Sequence, residues 1–129
     1  MKKYRFKHQN EEEIKSYIKE NKLDAKKCDS GLYYMVSKAG EGKSPESDSN
    51  ISIAYFGYYT NGDTFDQNEC LEINMSEVIP GWLEGVPFFK EGGQGILLVP
   101  AHLGYGIEDH GSIPGGSVLI FDIEIIAVD

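Results

Sequence analysis

The chain has 129 residues, 40% of them hydrophobic and 12% aromatic, with a net charge of -9. That length suits one domain with one real core, and the acidic balance argues against nucleic acid or an anionic membrane surface as a partner. No apolar run reaches the length of a membrane-spanning helix, and Cys28 and Cys70 are too few for a disulfide framework, so free thiols and a single bridge both stay open.

The opening "MKKYRFKHQN" is basic, but no apolar stretch follows it, so it does not read as a signal peptide. A removed leader would leave the same opening, so the compartment stays open at this point, the cytoplasm being expected only if none was removed. "NEEEIKSYIKENKL", from residue 10 to 23, is the strongest helix signal. Asn10 reads as the N-cap, with Glu13 reaching back as in a capping box. Ile14, Tyr17 and Ile18 make a narrow apolar stripe, so this helix should lie on the surface of the domain or against a partner.

"GLYYMVSK" (31–38) alternates like a strand, and the polar "AGEGKSPESDSN" (39–50) reads as a loop. "ISIAYFGYYT" and "DTFD" flank Asn61–Gly62, a strong hairpin signal. "LEINM" alternates, with Leu71, Ile73 and Met75 on one side. In "VIPGW" (78–82), two β-formers run into a proline suited to a first helical turn. A short helix from Gly81 to Phe89 should follow, cut or kinked by Pro87. "GILLVP" and "SVLIFDIEIIAV" are the last strands. Five or six strands and two helices make an α+β fold with an antiparallel sheet.

Familiar catalytic sets are missing. His8, His102 and His110 lack metal-ligand spacing, and there is no nucleophile elbow and no phosphate loop. Asn61, Asp63 and Asp66 are better explained as hairpin chemistry than as a calcium site. What stands out is aromatic: Tyr55, Phe65, Trp82, Tyr105 and Phe121, with Asp66 beside Phe65. Aromatic residues on strands are usually core. But Trp82 sits at a helix start, and Tyr105 lies in "LGYGIEDHGSIPGG", a long glycine-rich loop of the kind that often carries function.

From about Gly31 to Val128 the chain resembles the FKBP-type peptidyl-prolyl cis-trans isomerases. The resemblance rests on "AYFGYYTNGDTFD", "EVIPGW", "KEGGQGILLVPAHLGYG" and "IPGGSVLIFDIEII", four motifs in the family's order. The segment before them resembles a bacterial subgroup with a helix ahead of the domain, whose members are often cell-envelope proteins. The resemblance implies a twisted antiparallel sheet wrapped around one short helix. It implies an N-terminal helical extension over 1–30 and the isomerase domain over 31–129. It also implies a proline pocket with Trp82 as its floor and Tyr55, Phe65, Val78, Ile79, Tyr105, Ile113 and Phe121 as its walls. The Ile79 N–H and the Tyr105 hydroxyl would meet substrate carbonyls, and Asp66 would be a buried pocket carboxylate. Asp66 and Tyr105 are the residues expected to act in turnover.

Proline-containing polypeptides are the implied partners, with no cofactor and no metal. A rapamycin-type macrolide should bind more weakly than is usual for the family. The segment between Asp66 and Val78 is short, and a pocket phenylalanine often found there has no counterpart except Cys70 or Leu71. The competing reading is a binding module or holdase chaperone that uses the same cup with little turnover.

Overall fold

The computed structural model describes residues 5–129. Helix α1 (Lys7–Glu20) comes first. It is followed by β1 (Lys26–Lys27), β2 (Tyr33–Lys38), β3 (Asn50–Tyr58), β4 (Thr64–Asn74), α2 (Pro80–Gly85), β5 (Gln94–Val99) and β6 (Leu119–Val128). The six strands form one sheet in the order β1-β2-β5-β6-β3-β4, and every pairing is antiparallel. This is the α+β architecture expected from the strand patterns. Among the described residues, no helix is long and apolar enough to cross a membrane.

Both faces of the sheet are covered at its centre. On the inner face α2 sits over Leu97, Val99, Leu119, Phe121, Ile123 and Ile125, all in the main core. On the outer face α1 lays Ile14 against Tyr33, Leu98, Val118 and Ile120, with Tyr17 and Ile18 packed beside it. Double coverage explains why "ILLV" in β5 is nearly continuous in apolar residues: Leu97 and Leu98 point to opposite faces and both are buried.

Four local details correct or sharpen these expectations. Helix α1 begins at Lys7, its N-cap position is Phe6, and no side chain caps it. Asn10 lies inside the helix and is buried, because its amide has a stronger use elsewhere in the fold. "DTFD" and "LEINM" belong to one strand, β4. A bulge lies where Ile53 pairs with Leu71 and Tyr55 with Asn68, so the chain bends there without leaving the sheet. Met75 is fully buried, but in a single 3₁₀ turn (Met75–Glu77) just past the strand. Finally, the second helix is shorter than its apolar pattern. It ends at Gly85, and a 3₁₀ turn over Val86–Phe88 carries Pro87. That break is the one expected from a ring that removes a donor and crowds the preceding turn.

The hairpin at Asn61–Gly62 forms as a five-residue loop rather than a two-residue turn. The Gly62 N–H donates to the Tyr59 carbonyl at 2.9 Å, and Gly62 takes the left-handed conformation at φ 94°. Both cysteines are free thiols, Cys28 half-buried and Cys70 exposed. Burial, with Glu84 beside it, pushes the Cys28 thiol up to about 11.

Candidate active site

The handover from strand to helix sets the site's floor. Ile79 is extended, Pro80 takes the first helical position, and the N–H groups of Trp82 and Leu83 both donate to the Ile79 carbonyl at 3.0 Å. This tight start turns the Trp82 indole inward, where only 5% of the residue is exposed. Tyr55 from β3 and Phe121 from β6 meet it edge-on, with ring centroids 5.1 and 5.2 Å away. Tyr55 and Phe121 also meet each other at 6.2 Å. Edge-to-face contacts of this kind hold rings in fixed orientation.

Over this floor lies a cavity of about 190 Å³, lined by Tyr55, Asp66, Leu71, Ile73, Glu77, Val78, Ile79, Trp82, Tyr105 and Phe121. Of the residues expected around the pocket, Phe65 and Ile113 do not line it. Phe65 stands one layer back, packed between Tyr59 (5.1 Å) and Phe121 (5.6 Å). Ile113 is partly buried against the core, and its loop is closed by paired backbone hydrogen bonds to His110. Leu71, one of the two candidates for the missing phenylalanine, does line the cavity, and Ile73 and Glu77 line it without having been singled out. The inward alternation of "LEINM" was the signal for Ile73; nothing local marked Glu77. Cys70, the other candidate for the missing phenylalanine, is exposed.

Asp66 is also not buried. β4 is the last strand of the sheet, and no element lies beyond it, so the residue is exposed on the rim. Its carboxylate is nevertheless engaged. Oδ2 accepts the Tyr55 hydroxyl at 2.7 Å, and Oδ1 accepts the Gln67 N–H at 2.9 Å. A rim carboxylate thus fixes the phenol of a floor residue. The Tyr105 ring stacks on His110 at 4.6 Å, and the Ile79 N–H has no acceptor among the described residues. The cavity therefore has an aromatic base, aliphatic sides and a few polar groups at one edge. Among the described residues, no three His, Cys, Asp or Glu side chains are grouped to hold a metal ion.

The phenols of this region hold their protons tightly. Burial, followed by the bond to Asp66, raises Tyr55 above the ordinary tyrosine range. Burial and then the Asp66 charge raise Tyr105. On the opposite face of the sheet, burial and then the bond to Asp122 raise Tyr58 as well. Unfolded tyrosine ionises near pH 10. A raised folded value means that this stabilisation is fully present below about pH 10 and is lost as pH rises past it. The melting temperature should therefore fall on the alkaline side, with part of the phenolate absorbance appearing only on unfolding. Complete tyrosine titration in the folded protein near pH 10 would refute this.

Such a site suits a small apolar ring flanked by carbonyl groups. It has a flat aromatic base and donors at one edge. The profile of the FKBP-type peptidyl-prolyl cis-trans isomerases matches residues 41–126, and the chain belongs to that family. It is 39% identical over 107 residues to the isomerase FkpA of Buchnera aphidicola from Acyrthosiphon pisum, covering 80% of this chain and 44% of that protein. It is 35% identical over 127 residues to FkpA of Aeromonas hydrophila, covering 94% of this chain and 47% of the relative. The crystal structure of FkpA from Escherichia coli superposes with a TM-score of 0.86 at 34% identity, over 95% of this chain and 60% of that one. A peptidyl-prolyl isomerase structure from Pseudomonas syringae pv. tomato gives 0.81 at 25% identity, over 95% of both chains. The chain spans about half the length of the curated relatives it matches.

Proposed function

We propose that this chain is a peptidyl-prolyl cis-trans isomerase that accelerates rotation about X–Pro bonds and so assists protein folding. The observation that carries the reading is the cup of Tyr55, Trp82 and Phe121 with Ile79 and Tyr105 at its edge. Amide resonance sets a barrier of roughly 18–20 kcal/mol to this rotation. The charge-separated resonance form is disfavoured in an apolar cup, which weakens the partial double bond. With the proline ring on Trp82, the Ile79 N–H and the Tyr105 hydroxyl can donate to the carbonyls on either side of it. Donors placed for the twisted amide stabilise the transition state more than either planar state. A reduction of about 4 kcal/mol is roughly a thousandfold in rate. The domain division belongs to the same proposal: the site resides within 31–129, and 1–30 is an extension whose helix α1 packs on the sheet.

NMR exchange on an X–Pro peptide tests the reading. Catalysed exchange is expected, insensitive to chelators and nearly flat around neutral pH. Tyr105→Phe should lower turnover and leave the melting temperature almost unchanged, because the residue is on a loop. Asp66→Ala should free the Tyr55 phenol and lower turnover more than Trp82→Phe does. Peptide binding without catalysed exchange would instead mark a binding module or holdase.

The macrolide reading depends on the β4 wall. Leu71 and Ile73 line the cavity there in place of an aromatic ring. At about 25 cal/mol per Å² of apolar area, the missing ring surface is worth about 1–3 kcal/mol, roughly five- to a hundredfold in affinity. Rapamycin should bind measurably but weakly, and Leu71→Phe should tighten it by roughly tenfold. Calorimetry on both proteins checks this. Equal affinities would show that this wall does not limit the macrolide.

A further inference from the structure

We infer that Asn10, on the N-terminal helix, is a positioning residue for the Tyr105 side of the pocket. The inference rests on the proposed isomerase reading for its functional consequence, but its geometry stands alone.

Asn10 is a polar side chain only 1% exposed within a helix whose other polar residues are exposed or half-buried. Buried amides persist where their hydrogen bonds are met, and both ends of this one are used at long range. Oδ1 accepts the Ala101 N–H at 2.9 Å, and Nδ2 donates to the Gly116 carbonyl at 3.0 Å. Ala101 and Gly116 are the two ends of the segment that carries Tyr105. Inside that segment, the Gly106 N–H donates to the Ala101 carbonyl at 2.9 Å. The Gly116 N–H donates to the Gly106 carbonyl at 3.0 Å. Asn10, Ala101, Gly106 and Gly116 therefore form a closed ring of hydrogen bonds, and Gly106 is the residue next to Tyr105.

The ring has little slack. A Cβ on Gly116 would lie 2.7 Å from the Phe6 ring, and Gly116 sits at φ 80°. Phe6 is the residue just before α1, so helix and loop base meet closely at two points. Gly106 takes φ 90°, a turn open to glycine and strained for most other residues. The loop thus leaves and re-enters the fold over a single amide from α1. Without that amide the hydrogen-bonded link between its two ends, beyond the Val99–Leu119 pair of the sheet, would run through Gly106 alone, and the Tyr105 hydroxyl would sample more positions than a fixed donor should.

The test compares Asn10→Ala, Asn10→Asp and Ile14→Ala in the full chain, beside the wild type. Asn10→Asp is nearly isosteric. It keeps the acceptor for the Ala101 N–H and loses the donor to Gly116, so it serves if the alanine variant folds poorly. Ile14→Ala weakens the same helix where it packs on the sheet and leaves the four hydrogen bonds of the ring in place. Both Asn10 variants should lower kcat/KM for an X–Pro peptide about three- to tenfold, measured well below their melting temperatures. They should also speed amide hydrogen exchange at Gly106 and Gly116 more than in the sheet. Ile14→Ala should lower the melting temperature without either effect.

Wild-type rates and exchange at Gly106 and Gly116 in the Asn10 variants would overturn the inference. So would a uniform loosening that Ile14→Ala reproduces. An inactive wild type would refute the isomerase reading, and amide exchange would still decide the role of Asn10.

Discussion

Trp82→Ala should cost about 3–5 kcal/mol of folding stability and remove most of the isomerase activity. The two losses have one origin. Trp82 is the large side chain that anchors α2, a helix of only six residues with no side-chain cap. So short a helix is held by its packing, not by its own hydrogen bonds. Deleting the indole removes its edge contacts with Tyr55 and Phe121 and leaves a void under the cavity. The rings around it can close only part of that void, which is why large-to-small changes cost more than transfer alone. Domains of this size have roughly 5–15 kcal/mol in hand, so the variant should still fold in the cold. Trp82→Phe should lose much less stability. The indole Nε1–H is buried with no acceptor among the described residues, so its removal forfeits no hydrogen bond. Urea unfolding and peptide exchange on both variants decide the matter. A loss below about 1 kcal/mol for Trp82→Ala would show that α2 is anchored elsewhere.

How much of this was legible depended on the range of the signal. The stop at Pro87, the loop over 39–50 (whose last residue, Asn50, opens β3) and the inward row of β6 all follow from local chemistry, and the fold otherwise obeys it. Asn10 was misleading for the opposite reason. An Asn three residues ahead of a Glu is a good local cap pattern, but its amide serves backbone groups 91 and 106 positions away. No window of sequence contains that. β4 was divided because a bulge interrupts its alternation, and only its partner β3 shows that the pairing resumes. Asp66 was expected inside on the resemblance alone, yet side chains alternate along a strand. On the last strand of the sheet, the residue beside a partly buried ring faces the rim. The aromatic base was the easiest part of the site to find. Tyr55, Trp82 and Phe121 are bulky residues on predicted elements, and bulk is visible in a sequence. The aliphatic wall was harder, since Leu71 and Ile73 look like any other strand interior until the cavity beside them is seen.

Gly81→Ala should destabilise the protein, against the usual preference of helices. In an ordinary helix interior the change gains about 0.5–1 kcal/mol, because alanine loses less backbone freedom. Here a Cβ would stand 2.7 Å from Val99 Cγ1, 3.0 Å from its Cγ2 and 3.3 Å from the Leu103 carbonyl oxygen. Val99 is fully buried in β5 and stiff at χ1, so it cannot swing aside. Gly85, one turn on, faces the same strand, and its Cβ would lie 2.6 Å from Leu97 Cδ2. The two glycines let α2 settle directly onto β5, and that depth sets the height of Trp82 beneath the cavity. Overpacking of this kind costs about 1–3 kcal/mol. The extra methyl should lift the helix start, raise the floor into a cavity of about 190 Å³ and cut peptide turnover with it. Val99→Ala alone should also destabilise, by opening a void. Combined with Gly81→Ala it should do less harm than the sum, because the new methyl occupies space the valine gave up. Denaturant unfolding of the two single variants and the double variant reads this coupling directly. Additive losses, or a Gly81→Ala protein as stable and active as the wild type, would mean that α2 has room to move and that its close seat on β5 does not set the pocket floor.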